Sequence, residues 1–380
     1  MNIAFVYDCI YPFSHGGGEK RIWELAKRLV ARGHRVSILG QKWWEGEDVL
    51  AREGVQVVGV APFRPLFNAI GGHRSFVQPF FYAWHLFRYL RTHAFDVMEC
   101  SNFPYLSCFA ARLAQPRTPI VICWLEIRGL IGWLRYNGIT GVFAAVSEKI
   151  CIRLTDFNTA NSSVTTSRFP PARPIRIIPN GVDACFFDAP RKPSSPFAIL
   201  NVGRLVPHKR LDMLLDAVAE LRTEFPLVSL TLVGDGSSKN ALKEQASRLG
   251  LDSCVRFVDT HPSDDEVMEE YARASVFVLP SEQEGFGIVL VEAMAAALPC
   301  LVRIAPDSAS SDLVEPGKTG LRFRTLPELV ESLRWVFRHS EEAAAIGRNA
   351  REAARIYDWD RIADTTEAFL REAFSSRKPR

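Results

Sequence analysis

Arg204 and Lys209 stand five residues apart in the turn after an apolar, β-branched run at 197–202, just before a helical pattern. Two cations straddling a short loop at a strand's carboxyl end can clamp a diphosphate, the guanidinium forking two oxygens and the ammonium acting as a point charge. Taken singly, each is an ordinary solvated surface residue. A second segment favours the clamp: 280–294 reads PSEQEGFGIVLVEAM. Glu284 stands in a turn, where its carboxylate can accept from ligand hydroxyls. Gly285, Phe286 and Gly287 lead into an apolar helix from about Ile288, whose first backbone N–H groups suit an anion. Glu292 follows Glu284 with seven residues between and lies among Val291, Ala293 and Met294. A carboxylate there is costly to bury unless it accepts hydrogen bonds; vicinal ribose hydroxyls would satisfy it, and so would a structural ion pair or simple exposure.

A third turn, HGGGEK at 15–20, opens the first helix. Its glycines, Gly17 and Gly18 among them, let backbone approach a ligand without Cβ interference. It departs from the dinucleotide fingerprint, because the sixth position from Gly16 is Arg21, and Lys20 is not followed by the Ser or Thr of a phosphate loop. An anion-approach turn is the better reading. The eight cysteines, at 9, 100, 108, 123, 151, 185, 254 and 300, lack the close pairing of zinc or redox motifs and read as buried small hydrophobes in a reducing compartment.

These turns need a scaffold. Apolar runs at 3–7, 35–39, 55–60, 96–99, 120–125 and 142–146 predict strands. A helix over 19–32 carries Ile22, Leu25, Ala26, Leu29 and Val30 on one face, with Gly33 as its stop. Strand, helix, strand repeated in this way makes a doubly wound parallel sheet. Proline-rich turns at 169–174 and 189–196 then mark a boundary. Alternation restarts with strands at 197–202, 229–233, 255–258, 276–279 and 300–304, and with helices over 211–221, 239–249, 266–274 and from 288. The expectation is an α/β chain of two doubly wound, Rossmann-like domains.

The 380 residues, 47% hydrophobic, suffice for two such cores, and a net charge of +3 excludes polyanion binding by bulk electrostatics. Nucleic acid is therefore not an expected partner. No secretory leader is read at the N-terminus, and the most apolar stretch, 75–87, is too short to span a bilayer. A cytoplasmic chain is expected, with peripheral contact to the inner membrane face left open.

In order and spacing, GGGEK, VSEK at 146–149, IPNGVD at 178–183, GRL with HK at 203–209, LVGDG at 232–236 and PSEQEGFG at 280–287 resemble the family 4 retaining glycosyltransferases of the GT-B fold, over nearly the whole chain. The resemblance implies two domains facing a central cleft. The N-terminal one, 1–183, would bind the acceptor; the C-terminal one, 184–357, would bind a nucleotide-sugar donor; and a helix over 358–380 would cross back to the first. It implies that Arg204 and Lys209 hold the donor diphosphate, that Glu284 faces sugar hydroxyls and that the 286–288 backbone cradles sugar and phosphate. Glu292 would accept from the ribose, Gly17 and Gly18 would close on the diphosphate, and the 234–236 and 258–262 loops would meet the base. Similar enzymes transfer the sugar to a glycan or glycolipid hydroxyl without a metal, and no Asp-x-Asp pair stands where one would bind. No cofactor is expected.

One departure stands out. In VICWLEIRG at 121–129, where the family usually carries a histidine before the acidic residue, this chain has Leu125. Leucine can neither bond a sugar hydroxyl nor assist a proton. Either Glu126 or another residue covers that role on the acceptor side, with Arg128 nearby, or the role is dispensable, or turnover is impaired. An impaired nucleotide-sugar-binding protein, and an epimerase of the same fold, are the alternatives. Arg210 also replaces the more usual glycine after Lys209. Finally, 74–93 interleaves aromatics with Arg74, Arg88 and Arg91, which suits either a membrane interface or a buried face formed by Phe80, Trp84 and Phe87.

Overall fold

The computed structural model describes residues 1–14, 16–66, 75–188, 190–258 and 264–376. His15, Arg74, 259–262 of the expected base loop and the tail 377–380 lie outside them. The chain forms two compact units, Met1–Asn180 with Trp359–Arg380, and Gly181–Asp358.

The first unit is built on β1 (Asn2–Val6), β2 (Arg35–Lys42), β3 (Val49–Arg52), β4 (Val55–Pro62), β5 (Val97–Ser101), β6 (Ile120–Trp124), β7 (Asn158–Ala160) and β8 (Arg176–Ile177). They lie in the order β3-β4-β2-β1-β5-β6-β7-β8, parallel except where β3 meets β4. Alternation along β1 divides the core. Ile3 and Phe5 join one apolar layer with the helices Gly17–Ala31 and Trp359–Ser375, whereas Ala4 and Val6 join the layer on the other face. Helices thus cover both sides of a sheet whose central strands are buried. The chain's last helix packs here through Trp359, Ile362, Phe369 and Leu370. Ion pairs of Arg28 with Asp360 and of Arg32 with Asp364 run along its rim.

The second unit repeats the plan with β9 (Ala198–Val202), β10 (Ser229–Val233), β11 (Val255–Val258), β12 (Val276–Leu279), the short β13 (Gln283–Glu284), β14 (Cys300–Arg303), the short β15 (Asp307–Ser308) and β16 (Leu321–Phe323). Its main sheet runs β11-β10-β9-β12-β14-β16, and β13 pairs with β15 beside it. Strand order reverses between β1 and β5 in the first unit and between β9 and β12 in the second. At such switch points, loops leaving neighbouring carboxyl ends diverge and open a crevice, which is where open α/β sheets bind ligands.

Two expectations are corrected. The run 142–146 is not a strand; it lies in the helix Gly141–Cys151, with Ala145 and Cys151 buried and Val142, Val146 and Ile150 exposed. A short apolar run fits either period, and here the helical one wins. Phe80 and Trp84 do not form a buried face either. The helix Gln78–Leu90 buries Tyr82, Leu86 and Leu90 and leaves both aromatics exposed.

Candidate functional site

The Arg204 and Glu284 turns flank the switch point of the second sheet. After β9 the chain bends at Gly203, whose N–H donates to Val233 O, and Leu205 N donates to Asp235 O. This brings two backbones so close that a Cβ on Gly234 would sit 1.9 Å from Gly203 O; with φ of +139° as well, only glycine fits at 234. The first loop continues through a single 3₁₀ turn, Pro207–Lys209, and Arg210 in the left-handed conformation (φ +50°, ψ +41°). That conformation explains why glycine suits position 210. Here Arg210 is held there from its side chain, by Asp212 at 3.0 Å and Glu282 at 2.6 Å, while Arg303 reaches Glu282 at 3.1 Å. Donating hydrogen bonds to Asp212 and Glu282 pushes the Arg210 guanidinium further into its charged form. Burial would raise the Glu282 carboxyl, but bonds from Arg210 and Arg303 outweigh it and lower its pKa. With Glu282 N donating to His208 O at 2.8 Å, this bracket ties the 207–210 turn to the 280–284 turn.

A left-handed residue with a Cβ costs about 1–2 kcal/mol, and each half-exposed ion pair contributes at most ~1 kcal/mol. Arg210→Gly should therefore be nearly neutral, because relief of strain offsets the lost bracket. Arg210→Ala keeps the strain and should cost about 1 kcal/mol in urea unfolding. A glycine variant less stable than the alanine variant would contradict this account.

Across the bracket, Lys209 Nζ lies 2.5 Å from Glu284 Oε2, with side chains only 14% and 16% exposed. Glu284 is fixed through its own backbone: β13 pairs it with Ser308, and its carbonyl accepts from Ala309 N at 2.8 Å. Arg204 is exposed and, among the described residues, has no side-chain partner. Phe286 is buried against Tyr357, with ring centroids 5.6 Å apart, and Gly287 (φ +99°) caps the helix Ile288–Ala295 without a side chain over its first N–H groups. One helical turn and a residue further, Glu292 is 5% exposed; the Tyr271 hydroxyl donates to its Oε2 at 3.0 Å. Burial first, and the Glu292 charge second, push the Tyr271 phenol well up, so it remains a donor. The structure thus gathers Arg204, Lys209, Gly234, Glu284, the Gly285–Ile288 backbone and Glu292 around one sheet end.

In the first unit, Gly17 and Gly18 form the first turn of the helix Gly17–Ala31, whose N-cap, Gly16, supplies no side chain. A Cβ on Gly18 would meet Leu125 Cδ1 at 3.0 Å and Tyr7 Cε1 at 3.3 Å, so Leu125 packs directly against this turn. Asn102 braces the following loop, accepting from Leu125 N at 3.0 Å and donating to Glu126 O at 3.1 Å. Glu126 and Arg128 pair with each other in a two-pronged contact at 2.9 Å, and Arg128 lies over the Tyr136 ring at 4.2 Å. Beneath them Glu148 is 3% exposed and accepts four hydrogen bonds, from Tyr105 Oη, Arg128 N, Gly129 N and Trp133 Nε1. Reading by motif passed over the roles of Glu148, Asn102 and Glu282. The signal for Glu148 was available: it is the only acid in the apolar stretch 138–151.

Residues 185–353 match the family model described as "Glycosyl transferases group 1", and residues 16–181 match the "Glycosyl transferase 4-like domain". Each half of the chain thus belongs to a glycosyl transferase domain family, and the fold is that of the GT-B enzymes. Among curated relatives, the chain is 31% identical over 228 residues to a glycogen synthase of Mycobacterium tuberculosis, covering 58% of this chain and 54% of that one. It therefore spans about half the length of the first curated relatives it matches. It is 28% identical over 387 residues, 95% of this chain and 96% of the other, to the GDP-mannose-dependent alpha-(1-6)-phosphatidylinositol monomannoside mannosyltransferase of the same organism. In fold it is similar to the solved sucrose-phosphate synthase of Thermosynechococcus elongatus, at TM-score 0.82, 20% identity and 99% coverage of both chains.

Proposed function

We propose that this protein is a family 4, retaining hexosyltransferase. It would move a sugar from a UDP- or GDP-linked donor to a hydroxyl of a glycan or lipid-linked glycan, with no metal or cofactor. The observation that supports this most strongly is the Lys209–Glu284 pair at 2.5 Å at the switch point of the second sheet, where Arg204 is exposed and has no side-chain partner among the described residues. A nucleotide sugar offers each group its own partner: phosphate oxygens for the two cations, sugar hydroxyls for the carboxylate. The bond between the anomeric carbon and the phosphate oxygen breaks, and the acceptor oxygen bonds to the same face. The acceptor's proton passes to a departing phosphate oxygen. Negative charge on the leaving diphosphate then develops against cations and helix-end N–H groups already in place. Among the described residues no cluster of His, Cys, Asp and Glu is arranged to hold a metal ion. Eight free thiols, most of them buried, suit the reducing cytoplasm in which such donors are used.

Leu125 packed on Gly18 supports a second reading, that of a protein which binds nucleotide sugars without turnover. One experiment separates the two. Nucleoside diphosphate release is followed with a panel of UDP- and GDP-sugars and acceptors, alongside calorimetry of donor binding, with chelator present throughout. The transferase reading expects acceptor-dependent release undiminished by chelator and a product that keeps the donor's anomeric configuration by NMR. Binding with no release from any pair would favour the second reading, and no binding of any donor would overturn both.

A further inference from the structure

The first unit carries an apolar face that its own packing does not use. On the helix Gly141–Cys151, Val142, Val146 and Ile150 recur at i, i+4 and i+8 and all point outward, with Phe143 beside them. The preceding segment adds Ile131, 67% exposed, and Ile139, 86% exposed. The patch continues onto the helix Gln78–Leu90. Phe143 meets Phe80 with ring centroids 5.6 Å apart and Phe76 at 5.7 Å, and Trp84, one turn beyond Phe80, is 60% exposed. Single exposed apolar residues are commonplace, whereas a contiguous run of branched and aromatic side chains marks an interaction surface.

Charge identifies the occupant. The exposed ionised side chains on these two helices, the turn after each and the preceding helix Gly129–Asn137 are Arg88, Arg91, Arg135, Lys149 and Arg153, and every one is basic. The only acid among 129–153, Glu148, is buried under the loop it braces. A twofold contact between copies of this chain would set these cations against one another. An anionic headgroup layer would instead meet them, while Trp, Phe and branched side chains enter the acyl boundary. Among the described residues no helix is long and apolar enough to cross a membrane, so the contact lies along the surface.

We propose that the outer face of the helices Gln78–Leu90 and Gly141–Cys151, with the short helix Gly129–Asn137 and the 3₁₀ turn Gly138–Thr140 after it, docks this protein onto an anionic phospholipid bilayer. The expected membrane segment at 74–93 supplies only one edge of that face; its centre is 139–150. The inference is independent of glycosyl transfer, and its test needs no donor.

The full chain is pelleted with sucrose-loaded vesicles of phosphatidylcholine, or of phosphatidylcholine mixed with phosphatidylglycerol, at two salt concentrations. It should sediment with the anionic vesicles, less so at high salt, and stay in solution with the neutral ones. Ile139→Asp with Val146→Asp should weaken binding by roughly tenfold or more, since each puts a charge where an apolar side chain enters the boundary. Arg135→Glu with Lys149→Glu, which leaves the apolar stripe in place, should weaken it and flatten the salt dependence. Unchanged melting temperatures show that both variants fold; if the aspartate pair does not, the glutamate pair alone decides. Failure of the parent chain to bind anionic vesicles would overturn the proposal. So would equal binding to neutral vesicles, or a dimer in sedimentation velocity that the aspartate pair abolishes.

Discussion

Lys209→Ala should lower kcat by about 10²–10³, the scale of losing one preorganised group aimed at developing charge. The pair at 2.5 Å makes this more than a single-residue expectation. Without the ammonium, the Glu284 carboxyl, only 16% exposed, loses its ion-pair partner next to the place proposed for the diphosphate. Donor affinity should therefore fall along with kcat, because an unpaired carboxylate repels phosphate where an ion pair does not. Glu284→Ala should cost a similar factor, through lost hydroxyl contacts and a lysine no longer held in place. The double variant should be little worse than the poorer single variant, since each single change already disables the pair. Lys209→Arg keeps the charge but replaces a point charge with a wider planar fork, and should recover only part of the rate. Steady-state kinetics with a donor titration would check all four. Single variants within tenfold of the parent, or fully additive losses, would remove the pair from the reaction's machinery.

The two Rossmann-like sheets were legible because their signals are local. Apolar runs that end in glycine and proline mark buried strands, and the turns after them carry the polar residues that bind. What was not legible depended on partners distant in sequence. β7 and β8 are three and two residues long and read NTA and RI, so β7 owes its place to pairing with β6, and β8 to pairing with β7, and neither to propensity. The helix Gly141–Cys151 was hidden by its inverted arrangement, branched apolar residues outside and Glu148 within. At the site, Lys209 and Glu284 are 75 positions apart, and their contact follows from two loops converging on one switch point. Arg210 shows the limit most clearly. As a residue type it is only a departure from glycine, but the φ of +50° and the ion pairs to Asp212 and Glu282 show the same turn held by a different force.

Glu148→Ala should be the most destabilising single change in the first unit, costing about 3–5 kcal/mol. Its Oε2 accepts from Tyr105 Oη at 2.7 Å, Arg128 N at 3.1 Å and Trp133 Nε1 at 3.1 Å, and its Oε1 accepts from Gly129 N at 2.9 Å. Removing the carboxylate leaves these four donors with no acceptor in a pocket closed to solvent, and each unmet donor costs about 1–3 kcal/mol before any relaxation. Two of them are backbone groups at the start of the helix Gly129–Asn137, whose N-cap, Arg128, supplies no side-chain bond of its own. Glu148 is therefore the device that begins this helix and sets the direction of Glu126 and Arg128. Glu148→Gln separates charge from hydrogen bonding. Its carbonyl can keep the three Oε2 contacts while its NH₂ opposes the Gly129 N–H, so one contact is lost and the cost should be about 1–2 kcal/mol. Thermal unfolding measures the order, alanine well below glutamine and glutamine below the parent. Limited proteolysis locates the damage, with new cuts expected between 125 and 151 and none between 181 and 358. If alanine and glutamine proved equally mild, the loop would owe its shape to the Asn102 contacts, and Glu148 would be a passenger beneath it.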